Sequence, residues 1–329
     1  MKNRNYKKYN FANPSLSGDT YAGELALPYV SAAVKANDTI GKGYVRLIEG
    51  MNRKAVIESL SVASPLAAAS CTFNATDTTI TESVITLTDL KAQFQYCRGT
   101  VFPTWIGQGM DRNGNLPQDF ESFLLETSAA RVGAAIENEM WVGGTDFGTG
   151  FVSNDGTYDQ AGLDASKLAD FTQITMNSGA LTNAVAITAL NKVYDGVTAN
   201  HPGLMSKPGF GFFMNNKTYG LYIQQLAGLG AGVSNSTDGV NGLASAQSFE
   251  GMSFMGIPIY RCPGMPDDCI VAADKENLVA ATNALSDLTE VRLIPTYQYD
   301  GSDNINLSMR FAIAVGAGLT TEGVVGATF

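Results

Sequence analysis

The sequence predicts an α+β fold built from an extended N-terminal arm, a long β-hairpin, one long helix, an inserted α/β region and returning C-terminal strands. Three observations carry this reading. Segments between residues 43 and 104 are rich in β-branched residues, with few helix formers around them. After Pro117 the sequence runs to Val142 with no further proline and one glycine, and Leu125, Ala129, Val132, Ile136 and Met140 recur at helical spacing. Leu307, Met309, Phe311, Ile313 and Val315 alternate with their neighbours, as in a strand with one buried face.

Composition limits the function classes. The chain has 329 residues, is 45% hydrophobic and only 16% charged, and its mean hydropathy is zero. Such a chain can offset its ordering entropy with a large core, so it is not a disordered protein. Its length predicts about two domains. A net charge of −10 argues against a dedicated nucleic-acid reader with a basic face. The charge is nevertheless uneven: residues 1–60 hold nine Lys/Arg against five Asp/Glu. Lys2, Arg4, Lys7 and Lys8 form a basic arm suited to contacting phosphate or a neighbouring acidic subunit, the alternative being a solvated terminus. Tyr9 to Pro14 replace the apolar stretch of a signal peptide, and the longest apolar run, Phe311 to Leu319, falls short of the ~20 residues of a membrane span. The expectation is a protein made in the cytoplasm with no membrane partner.

Taken in order, residues 1–40 read as the arm. Tyr44–Ile48, Ala55–Leu60, Thr72-Phe73, Thr76–Thr88 and Ala92–Tyr96 read as strands of one excursion that cannot bury both its faces alone. The helix over about 117–142 would span about 37 Å at ~1.5 Å per residue, and Gly143-Gly144 stops it. Residues 145–185, rich in Gly, Asn and Asp, are expected to form a lid or surface excursion. Helices are expected at 187–197, ended by Asn200-His201-Pro202-Gly203, at 219–226, ended by Gly228, and at 277–285. Strands are expected at Phe210–Met214, Gly256–Arg261, Cys269–Ala273 and Val291–Ile294, and Asp300-Gly301 is a turn. No internal repeat is evident.

The search for chemistry mostly excludes it. There is no GxSxG elbow and no GxxxxGK[ST] loop. Gly228–Gly232 and Gly316–Gly318 do not complete a dinucleotide fingerprint. The single histidine, His201, has no second histidine or reactive nucleophile beside it in sequence. Asp111, Asn113 and Asn115 open like a calcium loop, but Leu116 and Ser122 stand where it needs Gly and Glu. Glu137 and Glu139 sit unfavourably at a helix C-terminus and so require cationic or hydrogen-bonding partners, from this chain or another subunit. Cys262 and Cys269 flank a turn-like stretch, either as a disulfide across a hairpin or as two buried thiols. No catalytic, cofactor or metal residue is expected.

Two stretches carry a resemblance. One is Leu116-Pro117-Gln118-Asp119-Phe120, continuing to Ile136-Glu137-Asn138-Glu139-Met140-Trp141-Val142-Gly143-Gly144, with Gln95–Arg98 before it. The other is Phe254–Tyr260, with Met265-Pro266-Asp267-Asp268 and Val271–Leu278 following. Together with the order of parts, these resemble the major capsid proteins of tailed bacteriophages with the Hong-Kong-97-type fold, most like those of phages of Bacteroidetes hosts.

The resemblance implies an arm at 1–40, an extended E-loop within 41–104, a peripheral domain at 105–179 and 289–329, and an axial domain at 180–288. The peripheral domain would hold the spine helix at about 117–142, with Leu125, Ala129, Val132, Ile136, Met140 and Trp141 as its core. It further implies a non-enzymatic subunit of an icosahedral shell, made in the host bacterial cytoplasm and located in the virion capsid. Its partners would be copies of itself in hexamers and pentamers, packaged double-stranded DNA held without sequence specificity, and portal, scaffold and decoration proteins. Rival readings are an encapsulin-type nanocompartment shell, another virion component such as a tail-tube or decoration protein, and a hydrolase built from dispersed carboxylates.

Overall fold

The computed structural model describes residues 20–22, 37–51, 53–62, 78–97, 120–154, 156, 160–232, 253–283, 290–296, 302 and 304–328. In chain order the elements are β1 (Thr20–Ala22), α1 (Asp38–Gly41), β2 (Arg46–Ile48), β3 (Lys54–Val62), β4 (Thr78–Thr86), β5 (Thr88–Cys97), α2 (Phe120–Val142), α3 (Gln160–Asp164) and β6 (Thr172–Asn177). They continue with α4 (Ala186–Asn200), a 3₁₀ turn (Pro202–Ser206), β7 (Phe210–Met214), α5 (Asn216–Gly232), β8 (Ser253–Phe254), β9 (Ile257–Arg261) and β10 (Cys269–Asp274). The last are β11 (Leu278–Thr282), β12 (Glu290–Pro295), β13 (Asn304–Ala317) and β14 (Val324–Thr328).

The predicted long helix is α2, and its stripe packs inward: Leu125, Ala129, Val132, Ile136, Met140 and Trp141 are all buried, joined by Leu124. The side chains at 124, 125, 128 and 129 widen the stripe beyond a simple three-four repeat, because α2 is covered from two sides. Its C-terminal carbonyls are all used. Those of Glu139, Met140, Trp141 and Val142 accept from the backbone N–H groups of Gly143, Phe151, Val152 and Gly156, which satisfies the groups a helix end leaves open. Gly143 has φ +69°, and a Cβ there would lie 2.5 Å from the Gly148 carbonyl oxygen, so only glycine turns the chain here.

The segment after α2 is therefore not the surface excursion expected for 145–185. Phe147, Phe151, Val152, Leu163, Leu168 and Phe171 are buried in the same core as α2, and β6 follows. The glycines and polar residues that suggested a loop form the tight return, while the scattered aromatics fill the space beneath it.

Two six-stranded sheets organise the rest of the described residues. In the first, β1-β12-β13-β11-β2 are neighbours in that order and β5 also pairs with β13. Its inner face places Leu307, Met309, Phe311, Ile313 and Val315 in the α2 core, as the alternation predicts. The second runs β6-β14-β10-β7-β9-β8. Its central strands are apolar throughout because both faces are covered. Phe212, Met214, Ile270, Ala272 and Val324 pack with α4 and α5 residues, while Phe213, Val271, Ala273 and Val325 join the α2 core.

Several expectations are corrected. In place of the helix expected at 277–285, Leu278–Thr282 is a strand, pairing antiparallel with β13 and parallel with β2. The Leu-Val-Ala-Ala-Thr run is buried at every position, so it has no amphipathic period to read, and its alanines suggested the wrong element. α5 runs through Gly228 to Gly232. The strands expected to form one β excursion divide between two sheets: β3 and β4 form a separate two-stranded ribbon, whereas β5 pairs with β13 over ten residues. Thr72-Phe73, Asp111–Asn115, Pro117 and the Asp300-Gly301 turn lie outside the described residues.

Consecutive strands part company between the sheets. β10 and β11 belong to different sheets, as do β13 and β14. Asn277, in the first connection, pins the second. Its side-chain amide donates to the carbonyls of Leu319 (3.0 Å) and Glu322 (3.1 Å), and its Oδ1 accepts from the Leu319 N–H (2.6 Å). Its own backbone carbonyl accepts from Gly318 N–H.

Candidate interaction surfaces

The basic residues Lys2, Arg4, Lys7 and Lys8 lie outside the described residues. Leu125, Ala129, Val132, Ile136, Met140 and Trp141 are buried in one cluster, and the Trp141 ring packs 5.2 Å from Phe151 and 6.2 Å from Phe213 between centroids.

Glu137 finds its partners within this chain. It is buried at 5% exposure and accepts from the Thr39 N–H (2.9 Å), the Thr39 hydroxyl (2.5 Å) and the Gly264 N–H (3.2 Å). One carboxylate thereby fastens α1 and the 262–266 turn to the end of α2. Gly264 is required there, since a Cβ would sit 2.1 Å from the Glu137 carbonyl oxygen. Composition and spacing could not reveal this joint, because its partners are 98 and 127 residues away in sequence.

Cys262, in the same turn, and Cys269 are both buried and are not joined by a disulfide, which settles the alternative between a bridge and two thiols. Burial is the main reason the Cys262 thiol is pushed far up, so it is a poor nucleophile. His201 caps the end of α4, and its Nε2 lies 3.1 Å from the Thr172 hydroxyl. The Gly228–Gly232 stretch is the last turn of α5. Among the described residues no group of three or more His, Cys, Asp or Glu side chains is placed to hold a metal ion, and no helix is long and apolar enough to cross a membrane.

The remaining features are surfaces. The β3–β4 ribbon alternates cleanly. Ile85 is buried, with Ala55 and Ile57 packed beside it against Val279 and Ala314, and the other face is open. There Val56 (49% exposed) stands opposite Val84 (41%) and Glu58 opposite Glu82, and Ile80 is 61% exposed. An exposed apolar ribbon face of this kind is unusual on a protein that works alone.

A second open face lies on the β5–β13–β12 part of the first sheet. Arg310 lies between Lys91 and Glu290, Ser308 between Gln93 and Arg292, and Asn306 between Gln95 and Ile294. Lys91, Gln93, Gln95, Arg292, Ile294 and Arg310 are exposed and line a shallow groove of about 430 Å³. Neither face was legible in the sequence as a surface, because membership of a face depends on register. A smaller groove of about 290 Å³ beside α2 includes Arg131, Glu139 and Asp146. Burial, and secondarily the Asp146 charge, hold the Glu139 carboxyl above its ordinary range.

No family model matches the chain, and no curated protein matches it. Solved structures do. A chain from the capsid of a native GTA particle is 16% identical, with 98% of this chain and 97% of that chain covered and a TM-score of 0.57. A chain from the procapsid of satellite phage P4 is 13% identical, with 96% and 91% covered and a TM-score of 0.56. One from the capsid of Myoviridae phage XM1 is 12% identical, with 89% and 92% covered and a TM-score of 0.52. Over nearly its whole length, this chain has the fold of these phage and phage-like capsid chains.

Proposed function

We propose that the chain is a major capsid protein of a tailed bacteriophage, a structural subunit that assembles with many copies of itself into an icosahedral shell around double-stranded DNA. The observation that carries the reading is the β3–β4 ribbon, seated by one face and open on an apolar second face, in a chain whose fold matches capsid chains over nearly its full length. A ribbon of two strands is marginal by itself, and a neighbouring copy supplies the cover it lacks.

In the Hong-Kong-97-type description this ribbon is the E-loop, and α2 is the spine helix. The peripheral domain is α2 with the β13 sheet. The axial domain is the β6–β8 sheet with α4 and α5, and it takes in β14. Axial domains meet in hexamers and pentamers. The arm, with Lys2, Arg4, Lys7 and Lys8, reaches a neighbour or the DNA phosphates, and portal, scaffold and decoration proteins complete the virion in the host cytoplasm. An acidic body suits a wall that contains DNA without gripping it. The resemblance to phages of Bacteroidetes hosts gives the host range to examine first.

Expression of the chain followed by negative-stain microscopy and sedimentation tests the reading. Closed shells or capsomers are expected. A compact monomer at high concentration, with the ribbon folded onto its own body, would refute it.

A further inference from the structure

The β3–β4 ribbon does not hang free from the sheet that carries it. The face of that sheet turned away from the α2 core is built there from small side chains: Val279 stands beside Gly316 and Ala281 beside Ala314 on the paired strands β11 and β13. Ile85, 1% exposed, is buried among Met51, Val279, Ala281 and Ala314, with Ala55 and Ile57 packed beside it. It lies over Gly316 so closely that a Cβ there would be 2.7 Å from its Cγ1 and 2.9 Å from its Cδ1. Two residues further out, the Ser83 hydroxyl donates to the Ala317 carbonyl at 2.6 Å.

Both legs of the ribbon are also tied at the root. The Met51 N–H donates to the Thr282 carbonyl on β11 at 3.1 Å, and the Leu87 N–H donates to the Arg53 carbonyl across the root at 2.9 Å. Only Leu87 separates β4 from β5, and β5 is fixed along β13. The root and the Gly316 notch together act as a fulcrum. Ile85 is two residues from the Leu87 bond and Thr78, at the far end of β4, is nine. With the paired strands moving as one body, a shift of about 1 Å at Ile85 becomes roughly 4 Å at Thr78. A two-stranded ribbon without a seat is marginal and samples many angles, and ordering it on contact costs affinity.

We propose that the Gly316 notch and the Ile85 side chain lock the ribbon's angle in the lone subunit, so that the ribbon meets a second copy already aimed. Ile85, Ser83 and Gly316 are thereby positioning residues for assembly: they act through the ribbon and not by touching the partner. The assembly role rests on the shell reading, whereas the seat itself does not.

Hydrogen exchange on the full chain, held below the concentration at which particles form, tests the seat. Ile85→Ala removes the plug and Gly316→Ala pushes it out of the notch. Each is expected to speed exchange of the ribbon amides at 54–58 and 82–86 about tenfold or more, leaving β12 and β6 unchanged. Combined, the two changes set the new methyl group at position 316 3.8 Å from the Cβ of residue 85, an ordinary contact. Gly316→Ala is therefore expected to slow ribbon exchange when Ile85→Ala is already present, a reversal of sign that only a direct contact produces.

The same effect of Gly316→Ala in both backgrounds overturns the seat, as does faster exchange spread evenly over both sheets, which marks a general loss of stability. In assembly, Gly316→Ala is expected to raise the subunit concentration needed for shells about tenfold, and the combined change to recover part of that loss. Normal shells from Gly316→Ala at the wild-type concentration overturn the positioning role. A wild-type chain that forms no particles sinks the shell reading and the positioning role with it, and the exchange cycle still decides the seat.

Discussion

Two carboxylates two residues apart on α2 meet opposite surroundings. Glu137 is buried and accepts three hydrogen bonds, so removing any donor leaves a buried charge short of a partner at a cost of ~1–3 kcal/mol. Glu139 is half-buried, and burial first and Asp146 second raise its pKa. The folded chain therefore binds that proton more tightly than the unfolded chain. The site favours folding most in acid, where both states are protonated, and this advantage is lost as pH rises from the unfolded value through the raised folded one. Glu139→Gln is accordingly expected to melt above wild type at pH 7, with the gap closing below about pH 4. Thermal denaturation across pH checks this, and a gap independent of pH would contradict it.

At the scale of elements, the joint between α2 and the 262–266 turn depends on contact too close for a side chain. Gly264→Ala would press a methyl group into the Glu137 backbone, where neither partner is a flexible side-chain end. A loss of about 3 kcal/mol or more is expected in urea denaturation. Gly203→Ala, at a position with nothing within 4 Å, serves as the near-neutral control. What the sequence revealed at this scale follows from periodicity. The α2 stripe and the β13 alternation each present one face to the α2 core, so their periods survive in the residue order. β11 is buried on both faces and has no period. The ribbon was legible as a partner-seeking excursion, but its extent was not, because only pairing with β13 separates β5 from β4. The Glu137 joint and the Lys91–Arg310 face are long-range products of register and packing, and local composition carries no trace of them.

At the scale of the whole molecule, where the length suggested about two domains, and apart from the β3–β4 ribbon, the described residues hold two six-stranded sheets. They are not separable by cutting the chain between them. Three residues link β10 in one sheet to β11 in the other, β14 returns from the β13 sheet to lie between β6 and β10, and Asn277 bonds the two crossings together. Each sheet thus depends on strands delivered through the other, and the α2 core takes residues from both. The chain in monomeric form is expected to unfold in a single calorimetric transition whose van't Hoff and calorimetric enthalpies agree. Residues 180–288 made alone lack β14, so β10 loses an edge partner and Ile270 and Val271 lose the strand beside them. That fragment is expected to aggregate or to keep far-UV but not near-UV circular dichroism. Two resolved transitions, or a well-ordered 180–288 fragment, would show that the crossings are incidental and that the sheets are independent folding units.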